Sequence, residues 1–295
     1  MNKFKLIALI IVALGASALV WGFLIEPNRL VLNRVEISLD GLDNAHDGLK
    51  LVVISDLHGG ASFMNESKLK DVVALANAQK PDLILLLGDF VSQVRGGGPI
   101  VKRPLKMPVQ TIAESISGFS AKYGVYAVIG NHDDWYDRQK VREALETAGI
   151  RVLVDEMATV PVRGGNLYLL GMRDFMSVGN RAEFKARARE LTGGLDSGSV
   201  IILDHSPDVI PLLSGKNLPS KRTRLILAGH THGGQVWFPL IGSPIVPSNF
   251  GQKYAFGHLR DGGVDVFVTT GVGTSILPVR FLVPPEIAVL TLRAG

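Results

Sequence analysis

Apolar residues form one long uninterrupted run at the start of the chain and then recur in short blocks. Residues 6–25 carry no charge, and a helix of that length spans about 30 Å, the thickness of a bilayer core. From residue 31 onward, short apolar blocks alternate with segments whose apolar residues recur every three or four positions. The first pattern predicts a membrane helix, and the second predicts buried strands alternating with helices, an α/β fold.

The position of each element follows from this periodicity. Strands are predicted over residues 31–40, 49–55, 82–87, 125–129, 150–154, 167–170, 200–203, 225–228, 264–269 and 287–292. Helices are predicted over residues 66–79, 109–120, 137–148 and 183–191. Since neither a repeat nor a low-complexity linker interrupts residues 31–295, we expect this stretch to be one catalytic domain and residues 1–30 to be a separate segment.

Three interpretations of residues 1–30 remain open: a cleaved signal peptide, a retained anchor and, least favoured, a helix buried in a soluble core. A signal peptide would be cleaved after the small residues 16–18. We favour the anchor, because the apolar run continues past that point to Ile25, further than a signal requires. Trp21 would then lie near a membrane interface.

Basic residues flank this run on both sides. Lys3 and Lys5 precede it, and Arg29 and Arg34 follow it. The positive-inside rule therefore favours a cytoplasmic amino terminus only slightly. We expect a single-pass protein of the cytoplasmic membrane, anchored by residues 6–25, with a weak preference for a catalytic domain on the external face.

Composition restricts which residue types could bind a metal and which partners the chain could have. The chain has no cysteine, so a metal would be held by His, Asp, Glu or Asn, which suits Mn, Mg, Fe, Co or Zn. A net charge of +4 gives a modest preference for anionic partners. Runs of basic residues interleaved with aromatic ones are missing from the sequence, so we expect no nucleic-acid partner.

Clusters of His, Asp and Asn follow five of the predicted strands. These clusters are Asp56 with His58, Asp89, Asn131-His132-Asp133, His205, and His230 with His232. The carboxyl ends of strands are where α/β sheets assemble their sites. Only two of the chain's seven histidines, His46 and His258, lie elsewhere. Each cluster alone has a structural explanation, such as a turn or a helix cap, but the whole set favours a metal centre.

Two divalent ions can neutralise a phosphate ester and generate hydroxide at neutral pH, and close metals need a bridging anion. Asp89 is our candidate bridge. Asp56, His58 and His232 would complete one metal site, and the second would be completed by Asn131, His205 and His230. We expect His132 to contact the substrate or protonate the leaving group, and Asp133 to orient its ring by accepting the other ring N–H.

These motifs, in this order between about residues 49 and 287, resemble those of the calcineurin-like metallophosphoesterase family. The resemblance implies two facing β-sheets flanked by helices, an αββα sandwich, and two metals in the roles just given, with Mn favoured over Zn, Fe or Mg. The segments 232–237, 271–280 and 284–287 look like those of small membrane-anchored bacterial phosphodiesterases, a branch that includes a UDP-2,3-diacylglucosamine pyrophosphatase of lipid A synthesis.

We therefore expect a metallophosphoesterase that cleaves a phosphodiester or pyrophosphate, on a substrate that is membrane-associated or lipid-linked. The nucleotide-lipid pyrophosphatase is the first alternative. The substrate of that enzyme is made at the cytoplasmic face, whereas the basic residues weakly favour a catalytic domain on the external face. A non-catalytic metal-binding scaffold is the second.

Three further features bear on substrate choice. Residues 237–246 form an apolar loop that is either a buried connection or a lip that contacts lipid. Lys102, Arg103 and Lys106 either contact phosphates or are solvated surface charges. Arg280 either clamps a phosphate through two hydrogen bonds or forms an ordinary surface pair.

Overall fold

The computed structural model describes residues 2–92 and 104–295. The strands are β1 (Val31–Leu39), β2 (Lys50–Ile54), β3 (Leu83–Leu86), β4 (Val125–Ala127), β5 (Arg151–Val152), β6 (Glu156–Val162), β7 (Gly165–Gly171), β8 (Ser199–Leu203), β9 (Thr223–Ala228), β10 (Gly257–Asp261), β11 (Val264–Val268) and β12 (Glu286–Ala294). The α-helices are α1 (Lys3–Val20), α2 (Glu66–Asn77), α3 (Val109–Ile116), α4 (Asn131–Tyr136), α5 (Arg138–Thr147), α6 (Arg181–Leu191) and α7 (Ile210–Leu213).

The strands form two mixed sheets that face each other. The first sheet has the order β1-β12-β2-β3-β4-β5, and the second has the order β10-β11-β9-β8-β7-β6. Leucines such as Leu51, Leu85, Leu203 and Leu227 fill the space between them. Helices α2, α3 and α5 cover the outer face of the first sheet, and α6 and α7 cover that of the second. The predicted arrangement of two sheets flanked by helices is confirmed.

Polar side chains cap several of the helices; α2 begins at the predicted residue, Glu66, and α6 begins two residues before the predicted start, at Arg181. Asn65 accepts a hydrogen bond from the Lys68 N–H at the start of α2, and Asn180 accepts from two N–H groups at the start of α6. Asp137, predicted as the first residue of a helix, is instead the N-cap of α5. Such caps satisfy donors that the first helical turn leaves unpaired.

The sequence patterns missed two strands, β6 and β10. Both are edge strands of the second sheet. In β6 buried and exposed residues alternate, and Pro161 lies within the strand, where only an edge strand tolerates the missing N–H. In β10 none of the residues is fully buried. A strand with one neighbour and a solvated face has a weak hydrophobic signal, which explains why these two escaped prediction.

Strand directions place the predicted clusters and the amino-terminal segment at the same edge of the first sheet. Strands β2, β3 and β4 are parallel, so their carboxyl ends share one edge. Strand β12 runs antiparallel to β2, and β1 runs parallel to β12. Both β1 and β12 therefore begin at the edge where β2 ends, and the chain before Val31 arrives at that same edge.

The amino-terminal helix extends away from the two sheets. The segment Lys3–Asn28 is long and apolar enough to cross a membrane. None of the residues of α1, all of which are described, is buried; the interpretation as a core helix of a soluble domain is therefore wrong. Gly22, just after α1, is buried, and its carbonyl accepts a hydrogen bond from the Arg280 N–H at 2.9 Å.

Candidate metal centre

Loops at the carboxyl ends of five strands bring the predicted site residues together. Asp56 and His58 follow β2, Asp89 follows β3, Asn131 begins α4 just after β4, His205 follows β8, and His230 and His232 follow β9. Residues far apart in the chain meet here, such as His58 and His232, which are 174 residues apart. The two sheets thus contribute to one site at their shared edge.

The backbone at this site is strained. Asp56, His58, Asp89, His230 and His232 all have φ between +45° and +69°. Left-handed backbone costs a non-glycine residue free energy and recurs at functional sites. The strain lets each loop reverse immediately after its strand, so that its side chain points into the shared edge.

Two glycines allow the loops to approach one another closely. A Cβ atom on Gly130 would lie 2.2 Å from the Asp89 Oδ1, and one on Gly229 would lie 2.1 Å from the Ser55 Oγ. Both distances are far below van der Waals contact, so only glycine fits at either position.

The first group of candidate ligands consists of Asp56, His58 and His232. The Nε2 atoms of His58 and His232 face each other at 3.2 Å. Asp56 Oδ1 lies 3.4 Å from His232 Nε2 and 3.8 Å from His58 Nε2. All three side chains are almost completely buried. Two buried nitrogens that both point at a carboxylate are arranged to share a cation.

The second group consists of Asp89, His205 and His230. His205 Nε2 lies 3.2 Å from Asp89 Oδ2 and 3.1 Å from His230 Nδ1. The same Asp89 Oδ2 lies 3.7 Å from His58 Nε2 in the first group. Asp89 is therefore the carboxylate between the two groups.

Burial dominates the electrostatics. It lowers the pKa of His58 to about 3 and that of His230 to about 3, and it raises the pKa of Asp56 to about 6. Burial would also raise the pKa of Asp89, but His205 and His132 hold it well below its usual range. Neutral His58 and His230 next to ionised Asp89 are the protonation states that bind a metal ion. His205 differs, because the effect of burial is outweighed by Asp89, which raises the pKa of His205 well above its usual value. That imidazole would have to give up its proton to a bound cation.

Backbone carbonyl groups orient two of the histidine rings. His58 Nδ1 lies 3.2 Å from the Val91 carbonyl oxygen, and His205 Nδ1 lies 2.7 Å from that of Leu87. An Nδ1–H that donates to a carbonyl leaves the Nε2 lone pair free, which is the tautomer that a metal-binding histidine requires.

Orphaned polar atoms test whether these residues fit divalent cations. Within the described part of the chain, Asp56 Oδ1 and both amide atoms of Asn131 are buried without a hydrogen-bond partner. A buried polar atom without a partner is costly, and a bound cation would satisfy the oxygens. The donor set of carboxylate, amide and imidazole groups suits ions such as Mn²⁺, Fe²⁺ and Zn²⁺, so the residues fit the metals.

His132 lies at the mouth of the centre. Its side chain is 12% exposed, and its Nε2 lies 3.8 Å from Asp89 Oδ2. Trp135, one helical turn further along α4, packs against its ring with centroids 4.7 Å apart. Sequence reasoning missed this tryptophan, although an i, i+3 spacing in a helix would have indicated the contact.

The expectation that Asp133 orients the His132 ring is wrong. Asp133 is completely buried, and its oxygens accept hydrogen bonds from backbone N–H groups at 2.9 to 3.0 Å. The donors are Asp89, Phe90, Val91 and Gly130. His132 Nδ1 has no hydrogen-bond partner among the described residues. Asp133 instead joins the loop after β3 to the loop after β4.

Both expectations for Arg280 are also wrong. Its side chain is completely buried, so it neither faces a substrate nor forms a surface pair. The guanidinium donates to the carbonyls of Thr270 at 2.9 Å, of Gly273 and of Val283 at 3.3 Å, and more weakly to that of His232 at 3.4 Å. It holds the loop that carries His232 against residues 270–283.

Replacing Arg280 by lysine should lower the free energy of unfolding by about 2 kcal/mol, because one ammonium cannot reach carbonyls spread around a planar guanidinium. Thermal unfolding of the full chain measures this effect. Arg260→Lys is the matched control in the same measurement, since Arg260 is half exposed and forms a surface ion pair with Asp40. Equal melting temperatures for the two variants would contradict the assignment.

The loops proposed to choose the substrate divide into described and undescribed parts. Lys102 and Arg103 lie outside the described residues, and Lys106 is exposed. In the 237–246 loop, Leu240, Ile241 and Ile245 are at least 64% exposed. The alternative of a buried connection is therefore wrong for this loop.

Residues 49–234 match the profile of the calcineurin-like phosphoesterase family. The chain is 30% identical over 271 residues to an uncharacterized metallophosphoesterase of Bacillus subtilis, YkuE, covering 92% of this chain and 88% of the relative. It is 30% identical over 253 residues to the phosphodiesterase YaeI of Escherichia coli, covering 85% and 84%. It is 30% identical over 279 residues to a Danio rerio transmembrane protein with a metallophosphoesterase domain, covering 91% and 58%.

Proposed function

The chain belongs to the calcineurin-like phosphoesterase family, and on that premise we propose that it hydrolyses a phosphodiester or pyrophosphate bond with two bound divalent cations. One observation carries the proposal. Asp89 Oδ2 lies 3.2 Å from His205 and 3.7 Å from His58, so one carboxylate reaches donors of both ligand groups. A bridging carboxylate is what two closely spaced cations need.

We assign the residues that would hold the ions from these contacts and, for Asn131, from its buried amide, which has no hydrogen-bond partner among the described residues. Asp56, His58 and His232 would hold one ion, Asn131, His205 and His230 would hold the other, and Asp89 would bridge them. When bound, such ions neutralise charge on the phosphoryl oxygens and activate water as a nucleophile. Mn²⁺ is the favoured occupant, with Zn²⁺, Fe²⁺ and Mg²⁺ as alternatives.

His132 would act on the substrate rather than on a metal. Its ring is partly exposed at the mouth of the site, with Nε2 3.8 Å from the Asp89 carboxylate. Trp135 packs against the ring and limits its movement. An imidazole at this place can donate a proton or a hydrogen bond to an oxygen of the departing group. Asp133 supports the site indirectly, through the backbone of Asp89.

The substrate class is a phosphoester in or near a membrane. We propose that residues 6–25 are retained as a single-pass anchor in the cytoplasmic membrane, with residues 31–295 as the catalytic domain on its external face. The first alternative is the UDP-2,3-diacylglucosamine pyrophosphatase reaction, which requires the cytoplasmic face. A non-catalytic metal-binding scaffold is the second alternative.

The full chain, purified in detergent and loaded with Mn²⁺, should hydrolyse a generic aryl phosphodiester. A panel of phospholipid, nucleotide-lipid and nucleotide diesters would then rank substrates, and a reporter fused at the carboxyl terminus would locate the domain. An external domain would exclude the nucleotide-lipid substrate. Bound metal without hydrolysis of any diester, pyrophosphate or monoester would favour the scaffold instead.

His132→Gln should lower kcat by about 10²-fold, because glutamine can donate a hydrogen bond but cannot transfer a proton. Metal content should stay unchanged if His132 binds substrate and not metal. The effect should shrink for a diester whose leaving group is a weak base, since that group needs less protonation. His258→Gln, outside the centre beside Asp265, is the control. Loss of metal from His132→Gln would contradict this role.

A further inference from the structure

Large apolar side chains lie exposed on two neighbouring segments beside the metal centre, residues 238–245 and 276–282. We call them together the apolar rim. Its members are Phe238, Leu240, Ile241, Ile245, Ile276, Leu277 and Leu282, with side chains between 39% exposed and completely exposed. Burying an aliphatic or aromatic side chain of this size is worth about 1.5–3 kcal/mol. A contiguous apolar patch on a protein surface generally marks a partner or a membrane.

Backbone pairing makes the two segments one unit. Val236 and Phe281 form a parallel bridge, and the Trp237 N–H donates to the Phe281 carbonyl at 2.9 Å. The rings of Phe238 and Phe281 lie 5.7 Å apart. Gln235 Oε1 accepts from the Ser275 N–H at 2.7 Å. The rim therefore keeps its shape without an additional partner.

The rim is continuous with the end of the amino-terminal helix. The Arg280 N–H donates to the Gly22 carbonyl at 2.9 Å, and the Leu282 N–H donates to Glu26 Oε2 at 2.8 Å. A Cβ atom on Gly22 would lie only 3.6 Å from the Phe281 ring, so the helix and the rim pack closely. If the helix crosses a bilayer, the rim lies at the depth where the chain leaves it.

Two residues of the apolar rim, Leu240 and Ile276, combine an exposed side chain with an unfavourable backbone conformation. Leu240 is completely exposed and Ile276 is 92% exposed, and both have left-handed backbone, with φ of +71° and +59°. This conformation is unfavourable for bulky residues and most of all for the β-branched isoleucine. Both residues present apolar side chains where glycine or asparagine would be more stable in water.

We propose that the apolar rim inserts into the interfacial layer of the same bilayer that the amino-terminal helix enters. A lipid surface is the favoured occupant, because the packed helix end brings it to the rim without a second binding event. Apolar side chains of this kind sit about 5–10 Å deep, at the boundary of headgroups and acyl chains. The domain would then be held to the membrane at two places, with a fixed orientation.

Insertion of the rim would bring the metal centre to the membrane surface. The rim segment 238–245 begins six residues after His232. Arg280, in the other rim segment, donates to the His232 carbonyl. Phosphoesters at the level of lipid headgroups would be within reach of the metal centre, whereas soluble phosphoesters would have to reach it from the side of the domain that faces water. This consequence for the substrate rests on the proposed hydrolase function; the insertion itself does not.

Site-specific fluorescence on the full chain tests the proposal, and because the chain has no cysteine a single introduced cysteine carries the only label. Leu240→Cys, Ile245→Cys and Ile276→Cys, each carrying an environment-sensitive dye, are reconstituted into phospholipid vesicles. We expect blue-shifted emission and stronger quenching by nitroxides high on the acyl chains than by nitroxides near the bilayer centre. Near-UV circular dichroism of each labelled protein verifies the fold.

Two further labels separate the possible outcomes. Leu9→Cys, within α1, should be quenched by lipid nitroxides, and Asn166→Cys, exposed at the opposite edge of the second sheet at the start of β7, should be quenched only by aqueous iodide. Rim labels that behave like the Asn166 label, while the Leu9 label is in lipid, would overturn the insertion. A Leu9 label in water would overturn the anchor and the rim together. Neither result depends on hydrolysis, so the proposed function is tested separately.

Discussion

Replacing Asp89 by asparagine should lower kcat for phosphodiester hydrolysis on the order of 10³-fold or more, the scale expected when a central electrostatic contact is lost. Asparagine keeps a side-chain oxygen that can accept from the backbone N–H of His132, as Asp89 Oδ1 does at 2.8 Å. It removes the negative charge that lies between His58 and His205. We therefore expect bound metal to fall together with activity, while the protein stays folded.

Asp82→Asn is the matched control. Asp82 immediately precedes β3 and Asp89 follows that strand, and each carboxylate accepts a backbone N–H, in Asp82 that of Lys50 at 2.9 Å. Activity assays and elemental analysis should show a loss only for the Asp89 variant. Retention of both metal equivalents and of activity by Asp89→Asn would contradict the bridging assignment.

Replacing Asp133 by alanine should destabilise the protein by about 4 kcal/mol, since four backbone N–H groups would lose their buried acceptor. The melting temperature should fall by roughly 10 °C for a domain of this size. Burial raises the pKa of Asp133 to about 8, and the Asp89 carboxylate adds to the rise. The backbone N–H groups that donate to both of its oxygens act in the opposite direction on this pKa, because they favour the ionised carboxylate.

The same variant should also lose metal, because Asp133 holds the backbone of Asp89 in place. Asp134→Asn provides the comparison from the same helix. The Asp134 carboxylate accepts hydrogen bonds from the Arg138 guanidinium and the Ser177 hydroxyl. Its contacts are thus outside the loops after β3 and β4, and we expect the Asp134 variant to keep its metal. Thermal unfolding and metal analysis distinguish the two positions. If Asp133→Ala kept the stability and metal content of the Asp134 variant, its structural role would be wrong.

Much of the fold could be predicted because apolar periodicity reports burial directly. The central strands β2, β3, β8 and β9 were predicted within two residues at each end, since both of their faces are covered. The edge strands β6 and β10 were not, because a half-solvated strand mixes polar and apolar residues. The helix predicted over residues 109–120 ends earlier, at Ile116, although Phe119 beyond it is still buried in the core; apolar periodicity reports burial and not the residue at which a helix ends.

The candidate site was predictable for a related reason. Side chains placed just after buried strands must meet at a sheet edge, whatever the length of the intervening chain. This argument led to all seven candidate ligands, and the structure brings them to one edge. It did not lead to Trp135, whose packing on His132 depends on a short helix that the sequence patterns did not predict.

By itself, the sequence determined which chemical groups stand at the ends of which strands, and that an apolar helix precedes the domain. Only the tertiary structure decided the partners of individual side chains. Asp133 accepts from backbone groups 42 to 44 residues away rather than from neighbouring His132, and Arg280 is buried among carbonyls instead of facing solvent. The tertiary structure also brought the exposed apolar rim against the end of the helix. Hydrogen bonds depend on direction and on distance within tenths of an ångström, and neither quantity is encoded in the spacing of residue types.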